Sequence, residues 1–282
     1  MKIISKQILA GTKNTKVTKI VVETPLISGK AKAGQFVVLM AKEKGERIPL
    51  TVVNADKERG VITLIFQELG LTTKLLGTLN TGDSLFSIVG PLGHATPIEN
   101  YGKVILIGGG VGIAEIYPVA KALKEAGNNV TTIIGARTKD LLILEKELKA
   151  VSDELHITTD DGSYGKKGFV TDVLREVLTN KGQGSKVKGQ GLVYAVGPIP
   201  MMKAVSKVTK ELNVKTLVSL NALMVDGTGM CGCCRVTVGG EVKFTCVDGP
   251  EFEAHLVDWD ELDKRTKVYC DKEDHICKLS KI

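Results

Sequence analysis

Four glycines, Gly108, Gly109, Gly110 and Gly112, stand between an apolar run, K-V-I-L-I, and a stretch with apolar residues at helical spacing, I-A-E-I-Y-P-V-A-K-A-L-K-E-A-G. A second apolar run, V-T-T-I-I-G-A, follows. Buried strand, glycine turn, amphipathic helix and strand in this order form a parallel βαβ unit, which commits the middle of the chain to an α/β layer. Two further pairs extend it. L-H-I-T-T-D-D-G leads into a helix over about 169–178, and L-V-Y-A-V-G-P-I-P into one beginning near Met201. The intervening K-G-Q-G-S-K-V-K-G-Q-G reads as a flexible surface loop.

Residues 1–97 follow a different grammar. Short β-branched runs (K-V-T-K-I-V-V-E-T, G-Q-F-V-V-L-M, R-I-P-L-T-V-V, G-V-I-T-L-I-F, G-D-S-L-F-S-I-V-G) alternate with Gly, Pro and Asp. Such spacing predicts a small antiparallel barrel, interrupted only by a short helix over 72–79. A last strand over 214–221 leads into D-G-T-G-M-C-G-C-C-R-V-T-V-G-G-E-V-K-F-T-C, and a polar tail with Cys270, His275 and Cys277 reads as a surface segment. The expected fold is therefore multi-domain: an N-terminal antiparallel β-barrel (1–98), an α/β parallel-sheet nucleotide-binding domain (99–220) and a small C-terminal iron-sulfur domain with its tail (221–282).

The iron-sulfur expectation rests on spacing. A two-iron cluster needs four anionic ligands and a loop whose backbone comes close to its sulfides, so glycines belong there. Set against C-x4-C-x2-C with a distant fourth ligand, Asp226, Cys231, Cys234 and Cys246 take the four places. Cys233 adjoins Cys234 and in extended chain points the other way. One alternative makes Asp226 only the start of the glycine turn, with Cys233 as fourth ligand. Zinc would ask for a second short hook, disulfides for an oxidising compartment, and plain buried cysteines would not crowd among glycines.

The whole chain sets bounds. Its 282 residues, 43% apolar and 25% charged, suit two or three globular domains. The start lacks a secretory pattern and no apolar run is long enough to span a bilayer, so the expectation is a cytoplasmic protein without a membrane. A net charge of +6, spread singly among acids, argues against nucleic acid as partner.

Glycines between strand and helix let backbone approach a pyrophosphate, although close packing of helix on sheet asks for glycine too, and the match departs from G-x-G-x-x-G at Ala114. Loops at 135–137 and 197–201 follow strand ends on what would be the same sheet edge, which strengthens a nucleotide site. Arg47 before I-P-L-T, and the turn G-L-T-T-K at 70–74, offer a cation and hydroxyls for a second pyrophosphate; a solvated arginine at a strand start is the plain alternative. No catalytic triad or pair of poised carboxylates is evident.

Taken together, barrel, nucleotide layer and cysteine loop resemble the ferredoxin-NADP reductase-like flavoproteins over nearly the entire chain. Within them the order resembles the electron-transfer subunits of class-B dihydroorotate dehydrogenase, and more closely the small subunits of electron-bifurcating NADH-dependent reduced ferredoxin:NADP oxidoreductases. The resemblance implies FAD on Arg47, Pro49, Leu50 and Thr51, on Gly70, Thr72 and Thr73, with Ile65, Phe66 and Gln67 along the isoalloxazine. It implies NAD(H) on Gly109, Gly110, Val111, Gly112 and Ile113, with Arg137, Asp161, Gly197, Pro198 and Met201. The orotate-pathway subunits begin the cluster motif with cysteine where this chain has Asp226; aspartate there, the following G-T-G-M-C-G-C-C and the longer tail resemble the bifurcating enzymes. The implied partner is a larger iron-sulfur flavoprotein subunit carrying the bifurcating flavin and the NADPH site. A zinc-binding interaction module on a nucleotide-binding scaffold is the competing reading from another class. For the 2′-position of the nucleotide, Arg137 and Lys139 would favour a phosphate and Asp140 would oppose one.

Overall fold

The computed structural model describes residues 1–13, 15–179 and 191–279; the glycine- and lysine-rich loop expected after 180 lies, but for Gly191, outside them. Contacts divide the chain into two compact units, Met1–Ala95 with Asn221–Pro250 and Asp258–Ile282, and Thr96–Leu220 with Glu251–Val257.

In the first unit the alternating runs form β1 (Ile3–Gly11), β2 (Lys16–Glu23), β3 (Phe36–Met40), β4 (Ile48–Thr51), β5 (Asn54–Asp56), β6 (Val61–Gln67) and β7 (Ser87–Leu92). They make two antiparallel sheets, ordered β1-β2-β6-β5 and β4-β3-β7. The period of two sends one set of side chains inward from each sheet. Ile20, Val22, Ile62, Leu64 and Phe66 from one and Val37 and Leu39 from the other share a single core. A short turn of helix, α1 (Pro25–Ser28), and α2 (Leu71–Thr78) complete this part, with Leu76 of α2 fully buried in the same core.

The second unit is built on β8 (Lys103–Gly109), α3 (Gly112–Glu125), β9 (Asn129–Ala136), α4 (Glu145–Ala150), β10 (Glu154–Thr159), β11 (Lys166–Lys167), α5 (Val170–Thr179), β12 (Leu192–Val196), α6 (Ile199–Glu211) and β13 (Thr216–Ser219). Ile105, Leu106 and Ile107 of β8 are fully buried, as expected where helices cover both faces of a parallel sheet.

Beyond β13 the chain returns to the first unit for a hairpin, β14 (Arg235–Val238) and β15 (Glu241–Phe244). It then gives β16 (Glu251–Glu253) to the second, where β16 pairs antiparallel with β13 and closes the sheet order β11-β10-β9-β8-β12-β13-β16. It ends in the first unit with α7 (Trp259–Thr266) and α8 (Cys270–Leu279). The tail expected as a surface segment is thus helical, and α7 buries Leu262. Asp258 caps α7, accepting hydrogen bonds from the Asp260 amide (3.1 Å) and the Glu261 amide (2.9 Å).

Candidate flavin, nicotinamide and cluster sites

The chain runs outward from β8 through β9 to β10 on one side, and from β12 to β13 on the other. The strand order therefore reverses between β8 and β12, and a crevice beyond the carboxyl ends of those strands is where an open α/β sheet takes a ligand. Gly109 ends β8 there and Gly110, Val111, Gly112 and Ile113 follow it, while Gly197, Pro198 and Met201 follow β12. The fit is close. A Cβ on Gly112 would lie 2.5 Å from the Val196 carbonyl oxygen, one on Gly109 2.3 Å from Met201 Sδ, and one on Gly197 2.7 Å from Met201 Cε. Gly110 has φ +57°, a turn glycine favours. These glycines bring α3 and the start of α6 against the strand ends. Arg137, exposed, follows β9, and Asp161 follows β10, its amide donating to the Arg137 carbonyl at 3.3 Å. Asp161 is already engaged: its Oδ1 accepts from the Ser163 amide (2.9 Å) and hydroxyl (2.6 Å), the hydroxyl foremost in holding its carboxyl below the usual carboxylate range.

In the first unit, exposed Arg47 immediately precedes β4, which carries Pro49, Leu50 and Thr51 in register with Val38, Val37 and Phe36 of β3. The second turn starts α2. Thr73 Oγ1 accepts from the Leu69 amide (3.0 Å) and the Gly70 amide (3.1 Å), so it serves as a cap for the helix start. The Thr72 hydroxyl donates to the Glu46 carboxylate, which ties the helix start to the segment carrying Arg47. Gly70 faces open space. On β6, Phe66 is committed to the barrel core, whereas Ile65 lies outside that cluster, and Gln67 donates to the Thr15 hydroxyl at 3.1 Å. Alternation along the strand leaves Ile65 and Gln67 on the outer face and Phe66 with only its backbone to offer there.

The cysteine loop lies in the same unit. Gly227, Gly229 and Gly232 take φ of +75°, +85° and +66°. Close approach adds to the demand at Gly227, whose Cβ would sit 2.8 Å from Val38 Cγ2 on β3 and 2.9 Å from Leu92 Cδ1 on β7. The loop thus rests on the strand that also pairs with β4. Asp226 organises it: Oδ1 accepts from the Thr228 amide and Oδ2 from the Cys231 amide, each at 2.8 Å, and these amides, Thr228 first, hold the carboxyl below its ordinary value. Cys234 and Cys246, 1% and 2% exposed, bring their sulfurs to 3.1 Å. Burial pushes the Cys246 thiol up to about 12. Cys231 is exposed and its thiol is lowered, first by the Cys233 amide, while burial raises Cys233. Cys231, Cys233, Cys234 and Cys246 are free thiols. Among the described residues no three His, Cys, Asp or Glu side chains gather as a metal-binding group.

Comparison with known proteins gives a consistent picture. Residues 221–258 match the iron-sulfur cluster binding domain of dihydroorotate dehydrogenase B, and residues 106–207 the oxidoreductase NAD-binding domain. A "dihydroorotate dehydrogenase B (NAD(+)), electron transfer subunit homolog" of Thermotoga maritima is 52% identical over 252 residues, 89% of this chain and 86% of its own. The electron transfer subunit of Geobacillus thermodenitrificans is 35% identical, over 81% of this chain and 88% of its own. A solved structure described under flavin-based electron bifurcation via the NADH-dependent reduced ferredoxin-NADP oxidoreductase is 48% identical, with a TM-score of 0.89 over 98% of this chain and 96% of that one. The chain belongs to the dihydroorotate dehydrogenase B electron-transfer-subunit family. Phthalate dioxygenase reductase, 18% identical with a TM-score of 0.59 over 84% of this chain and 85% of its own, shares the fold.

As a member of this family the chain is an NAD-dependent oxidoreductase subunit with an NAD-binding domain and an iron-sulfur cluster binding domain. The loop fits such a cluster. A two-iron core takes two protein ligands on each iron. Cys246, buried beside Cys234 and with its thiol pushed up by burial, becomes a thiolate ligand when a metal displaces its proton. Asp226 keeps unused lone pairs after accepting two amides, since a carboxylate offers about four.

Sequence reasoning missed the groups that brace these sites. Glu46 is one, visible only through its contact with Thr72. Helix α7 is another, and its signal was present: Asp258 followed three residues later by Glu261 is a helix-start pattern.

Proposed function

We propose that this chain is the NAD-facing subunit of an electron-bifurcating NADH-dependent reduced ferredoxin:NADP oxidoreductase. The observation that carries the reading is the 48% identity sustained over 98% of the chain with a TM-score of 0.89. Asp226, where orotate-pathway subunits have cysteine, supports the same choice. The proposed parts are a flavin barrel, a nucleotide layer and a cluster loop, the last belonging to the same compact unit as the barrel.

When bound, nicotinamide and flavin supply hydride transfer and the cluster single-electron transfer. The chain's own residues hold and space these groups. Arg47 places a guanidinium for the FAD diphosphate, and Thr51 and the start of α2 border it. The turn after β8 and the loop after β12 present backbone to the NAD pyrophosphate, where the dipole of the 14-residue α3 favours negative charge. Asp226, Cys231, Cys234 and Cys246 hold the cluster. Because the loop rests on β3 and β3 pairs with β4, the cluster ligands and the flavin strand share one strand as support. The partner is a larger iron-sulfur flavoprotein subunit, and the complex resides in the cytoplasm. Among the described residues no helix is long and apolar enough to cross a membrane.

The second reading is the coupling subunit of a dihydroorotate dehydrogenase B, favoured by the names of the relatives. A visible spectrum of the purified chain tests the shared part: flavin and iron-sulfur bands that bleach with NADH are expected, and a colourless protein with stoichiometric zinc would overturn it. Co-purification separates the two enzymes. A partner supporting NADPH- and ferredoxin-linked NAD reduction is expected, and a partner oxidising dihydroorotate would reassign the chain.

A further inference from the structure

Helix α7 is fixed to the hairpin that follows the cysteine loop. Its cap residue Asp258 donates its amide to the Thr237 carbonyl on β14 at 2.9 Å, and Glu261 Oε2 accepts from the Thr237 amide at 3.2 Å. Leu262, next along the helix, is 1% exposed. One turn beyond Glu261, the same face carries Arg265. Its Nη2 donates to the Cys233 carbonyl at 3.1 Å, in a part-buried contact. That carbonyl lies between Cys231 and Cys234, so a permanent cation is held at the middle of the loop. A second, weaker contact adds to it: Arg235 Nη1 reaches the Gly232 carbonyl at 3.4 Å.

We propose that Arg265 is a positioning residue that sets the reduction potential of the cluster through its fixed charge. The inference rests on the reading that this loop holds a 2Fe-2S cluster. One-electron reduction by dithionite adds one negative charge to the site. A guanidinium fixed within a few bonds of two ligand positions favours that added charge, and partial burial limits its screening by solvent. The C-terminal segment thereby acquires a role that the loop alone does not supply.

The test uses the full chain with whatever subunit co-purifies, assayed for iron and sulfide and then titrated against redox dyes with the cluster followed by electron paramagnetic resonance. Arg265→Gln is expected to retain full iron while the equilibrium constant for cluster reduction falls about fivefold or more. Arg265→Lys, which keeps the charge, is expected to stay within about twofold of wild type. An unchanged equilibrium in the glutamine variant at full iron content overturns the proposal, as does an equal shift in both variants. Loss of iron in both also overturns it, leaving only a structural brace. Loss in the glutamine variant alone overturns it too, since the charge then retains the cluster rather than setting its potential. Wild-type protein without iron defeats the cluster reading itself and the proposal with it.

Discussion

Asp226 turns the loop by accepting two backbone amides and, in the proposed reading, takes the place of a thiolate ligand. A carboxylate oxygen donates less electron density to ferric iron than thiolate does, so a carboxylate ligand at this place is expected to destabilise the oxidised state and raise the potential. Asp226→Cys is expected to keep a two-iron cluster at lower potential, while Cys233→Ser leaves spectrum and potential nearly unchanged. Redox titration of both variants checks this; an unchanged potential in the first with cluster loss in the second would make Cys233 the ligand. Arg47 offers a separate test. A guanidinium on a diphosphate is a charge-assisted contact worth about 1.5–3 kcal/mol, so Arg47→Ala is expected to weaken FAD roughly tenfold to a hundredfold. Dialysis followed by flavin absorbance measures it, and full retention would remove this arginine from the site.

Two elements of the nucleotide sheet invite direct perturbation. Helix α3 starts so close to β12 that a methyl on Gly112 would meet backbone, which cannot rotate away as a side chain can. Gly112→Ala is expected to cost about 1–3 kcal/mol, a fall of roughly 3–10 °C in the unfolding midpoint, together with weaker NADH binding; calorimetry and fluorescence titration read the two effects. Strand β16 brings a mostly buried carboxylate to the sheet edge. Glu251 Oε1 accepts from the Tyr194 hydroxyl at 2.8 Å and from Thr96, while Oε2 is buried without a partner among the described residues. Desolvation holds its carboxyl above the ordinary glutamate range. The folded chain thus binds that proton more tightly than the unfolded one, and the group's stabilisation is full below the unfolded value and declines as pH rises through the raised folded one. Glu251→Gln keeps an acceptor for Tyr194 and is expected to flatten that decline in melting curves recorded between about pH 4 and 8; an unaltered slope would show that Glu251 does not carry it. The element is also instructive about legibility. Three residues, E-F-E, carry no periodic signal of their own, and β16 exists because β13 leaves an edge to be paired.

For the molecule as a whole, the decisive functional choice is which pyridine nucleotide it serves. Lys139 lies over the Tyr164 ring at 5.1 Å and donates its amide to the Ser163 hydroxyl at 2.9 Å, so it is tied to the loop that follows β10. Arg137 is exposed beside it, with Asp140 opposing a 2′-phosphate. NADH is expected to outperform NADPH by about tenfold or more in diaphorase assays, a margin of about 1.4 kcal/mol; equal or reversed preference would overturn the NAD assignment.

The sequence by itself determined the layer types, the glycine turns and the order of barrel, nucleotide and cysteine-rich segments, because period two, period 3.6 and cysteine spacing are local properties of the chain. Helices α2 and α5 fall within about a residue of their expected spans, 72–79 and 169–178, for that reason. Only the tertiary structure decided what depends on distant segments meeting. It set the reversal of strand order between β8 and β12, the return of β16 to the sheet, the commitment of Phe66 to the core, and the reach of Arg265 from α7 to the cysteine loop. Each is a contact between residues far apart in sequence, selected by burial and by the need to pair backbone polar groups, which no local pattern encodes.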